Sequence, residues 1–196
     1  MFRTILLLAI SGCLLVSCAS LQVPLNPPSF PSAEFSTISQ DEITIRVKPI
    51  VSEEDYLELF DENLPRNGVV ALWVEMNNGK TTAIDFKKDG WLLLAGGRSF
   101  APLPGAKMLE RFYAANHTRM ISENADAESR RRLERIELAA GPLRPGTKRE
   151  GFLFFRIDPR LSSTWSRGGA SLLVRDVRLD GRHKKTMEIV LPHANS

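Results

Sequence analysis

The run GVVALWVEM, Gly68–Met76, decides the fold class of this 196-residue chain. Its even-numbered residues from Val70 to Met76 are all apolar. Its odd-numbered residues from Val69 to Trp73 are apolar too, and Glu75 is the exception. In a β-strand these two sets of side chains face opposite ways, and a short apolar run followed by a turn signal is typical of a strand. Asn77-Asn78-Gly79 follows, and these residues accept positive φ, which predicts a turn. Residues 81–86 are therefore expected to return antiparallel to the first run.

Runs with strand character recur on both sides of this segment. Residues 42–49 alternate, with Ile43, Ile45 and Val47 on one face and charge on the other, which predicts a half-buried antiparallel strand. Asp180-Gly181 is expected to form a hairpin turn. Further strands are predicted at Trp91–Leu94, Gly151–Ile157, Ala170–Leu179 and Thr186–Leu191.

Three segments have helical patterns. Ser52 can cap a helix with an acidic first turn, in which Tyr56 and Phe60 share an apolar face. Residues 104–115 and 125–140 predict two further helices, the second ended by Gly141-Pro142. The chain is therefore expected to be mainly β, an immunoglobulin-like antiparallel β-sandwich with a helical insertion at about 104–140 between the β halves.

Part of the sequence resembles uncharacterised bacterial lipoproteins that carry an immunoglobulin-like domain. The resemblance rests on Phe60-Asp61, on the strand that ends at Asn77-Asn78, and on Glu150-Gly151-Phe152-Leu153-Phe154-Phe155. These are packing and turn positions. The resemblance therefore implies a fold and a kind of anchor, and it implies no chemistry.

The amino terminus has the pattern of a secretory signal peptide. Arg3 precedes an apolar run of about a dozen residues, which is too short for a bilayer-spanning helix. Leu15-Val16-Ser17-Cys18 resembles the lipobox of bacterial lipoproteins, and Ile10-Ser11-Gly12-Cys13 is a weaker match. The resemblance implies a signal at residues 1–17, cleavage between Ser17 and Cys18, and a diacylglyceryl thioether on Cys18. A second acyl chain makes such an anchor stable.

The segment after the anchor indicates how the domain is held. Prolines are frequent in residues 18–40, which favours a semi-extended tether before a domain at 41–196, although Leu21, Val23 and Phe30 can still pack against it. Ala19 stands where an Asp would retain a lipoprotein in the inner membrane. The resemblance thus implies the outer membrane facing the periplasm, with the outer leaflet of the inner membrane as the alternative. No thiol would remain after cleavage and lipidation, so the fold depends on its hydrophobic core.

The sequence patterns of common catalytic and metal sites are missing. His117, His183 and His193 do not have the spacing of metal ligands. Gly96-Gly97-Arg98-Ser99 lacks the ending of a P-loop and predicts a tight turn instead. The acidic residues at 53–55 and 61–62 are interpreted as solvated. We therefore expect no enzymatic activity, no metal and no cofactor.

The segment Asp126–Glu137 is unusually rich in charge. As a helix it places Asp126 four residues before Arg130, Glu128 four before Arg132, and Arg130 four before Glu134, and such pairs stabilise a solvent-facing helix. A second interpretation is a docking surface for a protein partner or for anionic lipid headgroups. Its residues would be Arg130, Arg131, Arg132 and Arg135.

The formal net charge is only +3, whereas nucleic-acid binding usually shows a stronger basic bias. The sequence therefore predicts a lipid-anchored envelope protein that binds or scaffolds another envelope protein, without nucleic acid or a small-molecule cofactor. One alternative is a binder of anionic lipid or cell-wall polymer. An envelope hydrolase is the other alternative.

Overall fold

The computed structural model describes residues 21–115, 123–162, 165, 169–179 and 183–192. Within them the chain is mainly β, as the sequence predicts, with helices between the strands. The strands are β1 (Ser36–Gln40), β2 (Ile43–Pro49), β3 (Val69–Asn78), β4 (Ile84–Phe86), β5 (Trp91–Ala95), β6 (Arg98–Phe100), β7 (Pro102–Leu103), β8 (Gly141–Leu143), β9 (Lys148–Arg156), β10 (Ser171–Leu179) and β11 (His183–Val190). The helices are α1 (Glu53–Phe60), α2 (Gly105–Ala115), α3 (Glu123–Ile136) and the short α4 (Pro159–Ser162), and 3-10 turns occupy Ser32–Glu34, Leu64–Asn67 and Lys88–Gly90.

These strands form two antiparallel sheets. The first sheet has the order β1-β2-β3-β9-β7, and the second has β6-β5-β10-β4-β8, with β11 also paired to β10. β5 and β4 lie end to end along one edge of β10, since they pair with Ser171–Val174 and Arg178–Leu179 respectively. β11 runs along the other edge, so the predicted pairing of the last two strands is confirmed. The turn between them, at Asp180-Gly181, lies outside the described residues.

Apolar side chains on the facing sides of the two sheets form the sandwich core. The even-numbered residues of β3 point into it, as the alternation predicts, and so do those that alternate in β2. The second sheet contributes the large rings of Phe86 and Trp91, which lie 6.1 Å apart. The aliphatic part of the second sheet's contribution consists of Ile84, Leu93, Ala95, Leu143, Leu172, Val174, Val177, Met187 and Ile189.

The opposite face of the first sheet is covered by the helices. Trp73 of β3 and Phe152 of β9 pack edge to face at 4.8 Å near the middle of this second core. The helices cover them with Tyr56, Phe60, Met108, Leu109, Phe112, Leu133 and Ile136. The first sheet is thus the middle of three layers. A strand buried on both faces has no polar side, and this explains why β3 is apolar at nearly every position.

The prediction that the chain forms a hairpin directly after β3 is wrong. β4 pairs with β10 and β8 in the second sheet and not with β3. The cause is Asn78, which is fully buried at the end of β3. Its side-chain amide donates to the carbonyls of Thr82 and Leu143, each at 2.9 Å, and its Oδ1 accepts from the Lys80 amide at 3.0 Å. Asn78 therefore holds a loop that carries the chain from one sheet to the other.

The second inserted helix ends earlier than the sequence predicts, at Ile136 rather than at residue 140. Glu137 forms a parallel bridge to Phe152, and the Leu138 amide donates to the Phe152 carbonyl at 2.9 Å. Hydrogen bonding to β9 therefore replaces the next helical turn. A Cβ on Gly151 would lie 2.5 Å from the Leu138 nitrogen, so this crossing requires a glycine in β9.

We expect Gly151→Ala to lower the free energy of unfolding by about 1–3 kcal/mol, because the added methyl group must push the Leu138 backbone away from β9. Urea denaturation followed by tryptophan fluorescence measures this change. Lys148→Ala, at an exposed position of the same strand, is the control and should change stability by less than about 0.5 kcal/mol. Equal effects of the two substitutions would contradict the close packing at Gly151.

Candidate functional site

Residues 21–35, which we call the amino-terminal segment, precede β1. Their first residues pack against the helices that cover the first sheet. Leu21 and Val23 are buried in the same core as Tyr56 and Phe60. The Gln22 amide donates to the Phe60 carbonyl at 3.1 Å, at the carboxyl end of α1. Residues 36–40 then form the edge strand β1. The tether predicted over residues 18–40 is therefore folded from Leu21 onward, because its apolar residues find places in the core.

The helix α1 provides the platform for this segment. The Ser52 hydroxyl accepts a hydrogen bond from the Asp55 amide at 3.0 Å, so the predicted N-cap is confirmed. Tyr56 points inward, and its hydroxyl accepts from the Ala71 amide at 2.9 Å, beyond the point where β2 ends. Burial raises the pKa of Tyr56 well above its ordinary value. The hydroxyl thus serves to satisfy a buried backbone amide.

A surface cleft of about 500 Å³ lies where the amino-terminal segment crosses α1 and α3. Two large apolar side chains are conspicuously exposed here, Leu25 at 59% and Leu57 at 45%. The acidic groups of Glu58 and Asp61 line the α1 side, and Arg132 lines the α3 side. We call this region, with the neighbouring Arg131 and Arg135, the anchor-side surface. It combines an apolar centre with opposite charges on its two flanks.

Two of the three ion pairs predicted in α3 are confirmed. Arg130 Nε donates to Asp126 at 2.7 Å, and Arg132 Nε donates to Glu128 at 2.8 Å. The hydrogen bond from Arg132 lowers the pKa of Glu128 below its ordinary value. The predicted pair between Arg130 and Glu134 is wrong, since the second carboxylate near Arg130 is Glu110 of α2, at 3.9 Å. Arg130 of α3 therefore interacts with carboxylates on both helices, Asp126 of α3 and Glu110 of α2.

The four arginines named from the sequence are not equivalent. Arg130 and Arg132 are about one-third exposed and are held by carboxylates on α3. Arg131 is 67% exposed and lies 3.8 Å from Glu128, and Arg135 is also exposed. Arg131 and Arg135 are one helical turn apart, so they present their guanidinium groups on the same side of α3.

A second polar cluster surrounds Lys48, which the sequence places on a solvent-facing side of β2. Lys48 is instead buried, with its ammonium donating to Glu34, 3.9 Å from Asp55, and 4.4 Å from the centre of the Phe30 ring. A cleft of about 390 Å³ adjoins it. The proline-rich segment covers β2 through these contacts. The sequence contains one indication that this segment covers β2: two aromatic residues, Phe30 and Phe35, occur in the proline-rich stretch that was interpreted as a tether.

The solvent-facing side of the second sheet carries an apolar patch. Strand register places Leu94 beside Ser171 and Ser171 beside Val190, while Leu92 and Leu173 are direct neighbours. Val190 is 67% exposed. The Ser171 hydroxyl donates to Glu188 at 2.6 Å, so the polar groups between the apolar ones are paired with each other. We call Leu92, Leu94, Leu173 and Val190 the outer patch, and the sequence analysis did not identify it.

Other positions singled out from the sequence have structural roles or are not described. Gly96 and Gly97 have φ of 56° and 71° and form the tight turn between β5 and β6, as predicted. Glu53 accepts from Arg66 at 2.8 Å, and burial raises the pKa of Glu62. His183 lies in β11, opposite Leu179. Outside the described residues lie Ser17, Cys18, His117 and His193.

Across the residues that the structure describes, no group of three or more His, Cys, Asp or Glu side chains is arranged to hold a metal ion. None of the helices in the same ranges is long and apolar enough to span a membrane.

No protein-family model and no curated protein matches the chain. Among solved structures it is similar to a functionally unknown protein from Listeria monocytogenes EGD-e, with 14% identity and a TM-score of 0.44 over 89% of this chain and 90% of that one. The yjhA protein from Bacillus subtilis is similar with 13% identity and a TM-score of 0.42, over 76% and 93%. A "putative lipoprotein (ycdA)" from Bacillus subtilis has 12% identity and a TM-score of 0.40, over 79% of this chain and 38% of that one. Similarity at this level assigns neither a family nor a function.

We expect the double substitution Leu21→Ser and Val23→Ser to detach the first few described residues from α1, because it removes the two buried side chains that precede the exposed Leu25. Hydrogen exchange at the Gln22 amide should then become at least tenfold faster. Amides in the middle of β3 should keep their protection, which shows that the sheets stay folded. The exposed pair Leu25→Ser and Asn26→Ser is the control, and detachment in the control would place the holding contacts elsewhere.

Proposed function

We propose that this chain is a lipid-anchored protein of the bacterial cell envelope whose domain binds another envelope protein and has no enzymatic activity. The observation that carries the proposal is the short interval between two features. The apolar run and lipobox-like sequence end at Cys18, and Leu21, the first residue that the structure describes, is already buried in the core beneath the helices. This close succession supports a signal and anchor directly before the folded domain.

The strand order supports an immunoglobulin-like interpretation of the two sheets. In the constant-type immunoglobulin domain, strands A, B, E and D form one sheet and C, F and G the other. Here β2-β3-β9-β7 and β5-β10-β11 lie in the corresponding orders. They also follow in the matching chain order from A to G. The helices α2 and α3 would then be an insertion between strands D and E.

The compartment belongs to the same proposal. Ala19 follows the anchor position in place of the Asp that keeps lipoproteins in the inner membrane, which favours the outer membrane with the domain in the periplasm. The outer leaflet of the inner membrane is the alternative. Neither nucleic acid nor a small-molecule cofactor is part of the proposed role.

The outer patch is the surface that we assign to the protein partner. Leu92, Leu94, Leu173 and Val190 belong to adjacent strands, so they form a contiguous apolar area flanked by charged residues. An apolar centre with a polar rim is the usual composition of a protein interface. The patch also lies on the opposite side of the first sheet from the helical layer, where the chain approaches its anchor.

Substitution of the anchor cysteine tests the first half of the proposal. In cells fed a palmitate analogue, Cys18→Ala should abolish labelling, because the thiol at the lipobox position is gone, and any signal-cleaved protein should be recovered in the soluble fraction. Cys13→Ala is the matched control and should label and pellet with membranes like the unaltered chain. Labelling lost in Cys13→Ala and kept in Cys18→Ala would assign the anchor to the upstream cysteine.

Site-specific crosslinking tests the second half. A photoreactive residue at position 190 should capture one envelope protein reproducibly in cells, identified by mass spectrometry. Leu173→Asp should reduce that capture at least tenfold, because it places a charge in the middle of the outer patch, while Leu57→Asp on the far side should leave it unchanged. Circular dichroism confirms that both variants are folded. Capture of the same protein from position 131 instead would move the binding site to α3.

A further inference from the structure

The geometry points to a membrane-facing role for the anchor-side surface: its arginines, Arg131, Arg132 and Arg135, lie against the anionic headgroups of the bilayer that holds the anchor. This inference rests on the proposed lipid attachment at Cys18. Beyond that attachment, the inference specifies that the anchor-side surface faces the membrane and that it contacts a lipid surface.

The connection between the proposed anchor at Cys18 and the folded domain is short. Cys18 and Leu21 are three residues apart in the sequence, and a fully extended chain spans at most about 3.3–3.6 Å per residue. Leu21 must therefore lie within about 11 Å of the lipidated residue. Because Leu21 is buried in the helical-layer core, the domain has no long spacer with which to leave the membrane. Its helical side is held close to the headgroups.

The composition of the anchor-side surface is a second argument. Leu25, on the amino-terminal segment, is 59% exposed and is thus one of the most exposed large apolar side chains in the described part of the chain. Arg132 lines the cleft beside Leu25, and the exposed Arg131 and Arg135 extend the basic flank. Apolar side chains with adjacent arginines are the combination that binds the headgroup region.

The distribution of charge sets the tilt of the domain. The exposed side of α1 is acidic, through Glu53, Glu54, Glu58 and Asp61, and an anionic bilayer repels it. The arginine flank on α3 is attracted, with each arginine near the surface contributing a favourable interaction that salt weakens. The domain should therefore rest on its α3 side with α1 raised from the headgroups. In that orientation the outer patch points into the compartment.

Fluorescence quenching on vesicles tests this orientation. The chain from residue 18 onward carries a single cysteine, Cys18, which can be coupled to a maleimide lipid in vesicles of phosphatidylcholine with 30% phosphatidylglycerol. A fluorescent amino acid is placed either at Asn26, on the anchor-side surface, or at Thr186, an exposed position on the outer side of the second sheet. Lipids with a quencher in the headgroup should quench the probe at 26 at least threefold more than the probe at 186.

Two variants of equal charge test the arginines. Arg131→Gln with Arg135→Gln should reduce quenching at position 26 to the level measured on phosphatidylcholine alone. Arg175→Gln with Lys184→Gln, at exposed positions of the second sheet, should leave it unchanged. Equal quenching at 26 and 186, or equal quenching on neutral and anionic vesicles, would overturn the inference. Chemical coupling does not depend on lipidation in cells, so these results are independent of the Cys18→Ala experiment.

Discussion

The burial of the first sheet on both faces is the constraint on which the rest of the structure depends. One face of β3 and β9 meets the second sheet, and the other meets α1, α2 and α3. An antiparallel sheet more often exposes one face to water and then alternates apolar with polar residues. Here Trp73, Phe152 and Phe154 occupy the positions that would otherwise be solvated. Without the helices these rings would be exposed, so the helical insertion completes the sheet's packing.

Three layers require the chain to pass between them, and a few polar or small residues make the crossings possible. Asn78 is buried, yet its side chain bonds to backbone groups of the loop it organises and of β8, which offsets the cost of burying an amide. Gly151 gives the backbone after α3 room to lie on β9. Both residues fall within the motifs by which the sequence resembles immunoglobulin-like lipoproteins. Their roles are architectural, in agreement with a resemblance that implies no chemistry.

Local patterns predict the elements well and their partners poorly. Alternation identifies β2, apolar runs beside turn signals identify β3 and β5, and the capping serine identifies α1, because these signals depend on near neighbours in the chain. The turn motif at Asn77-Asn78-Gly79 predicts a hairpin where the chain instead crosses to the second sheet. A turn motif does not specify which strand the following residues pair with. Burial of Lys48 under Phe30 and the assembly of the outer patch from three strands both depend on long-range pairing. The ion pairs of α3 are predictable within the helix, whereas the contact of Arg130 with Glu110 needs the position of α2.

The packing of Leu21 changes what the arginines of α3 can bind. A long proline-rich tether would let the domain turn freely, and every surface would be equally accessible to an envelope protein. With only two residues between Cys18 and Leu21, a domain anchored as proposed keeps its helical layer near the bilayer, where Arg131 and Arg135 encounter phosphate groups at high local density. On the proposed anchoring, lipid would occupy the surface that the sequence offers as a protein-docking site. A protein partner approaching from the compartment would meet the second sheet instead, where the half-buried leucines of β5 and β10 lie beside the exposed Val190 of β11.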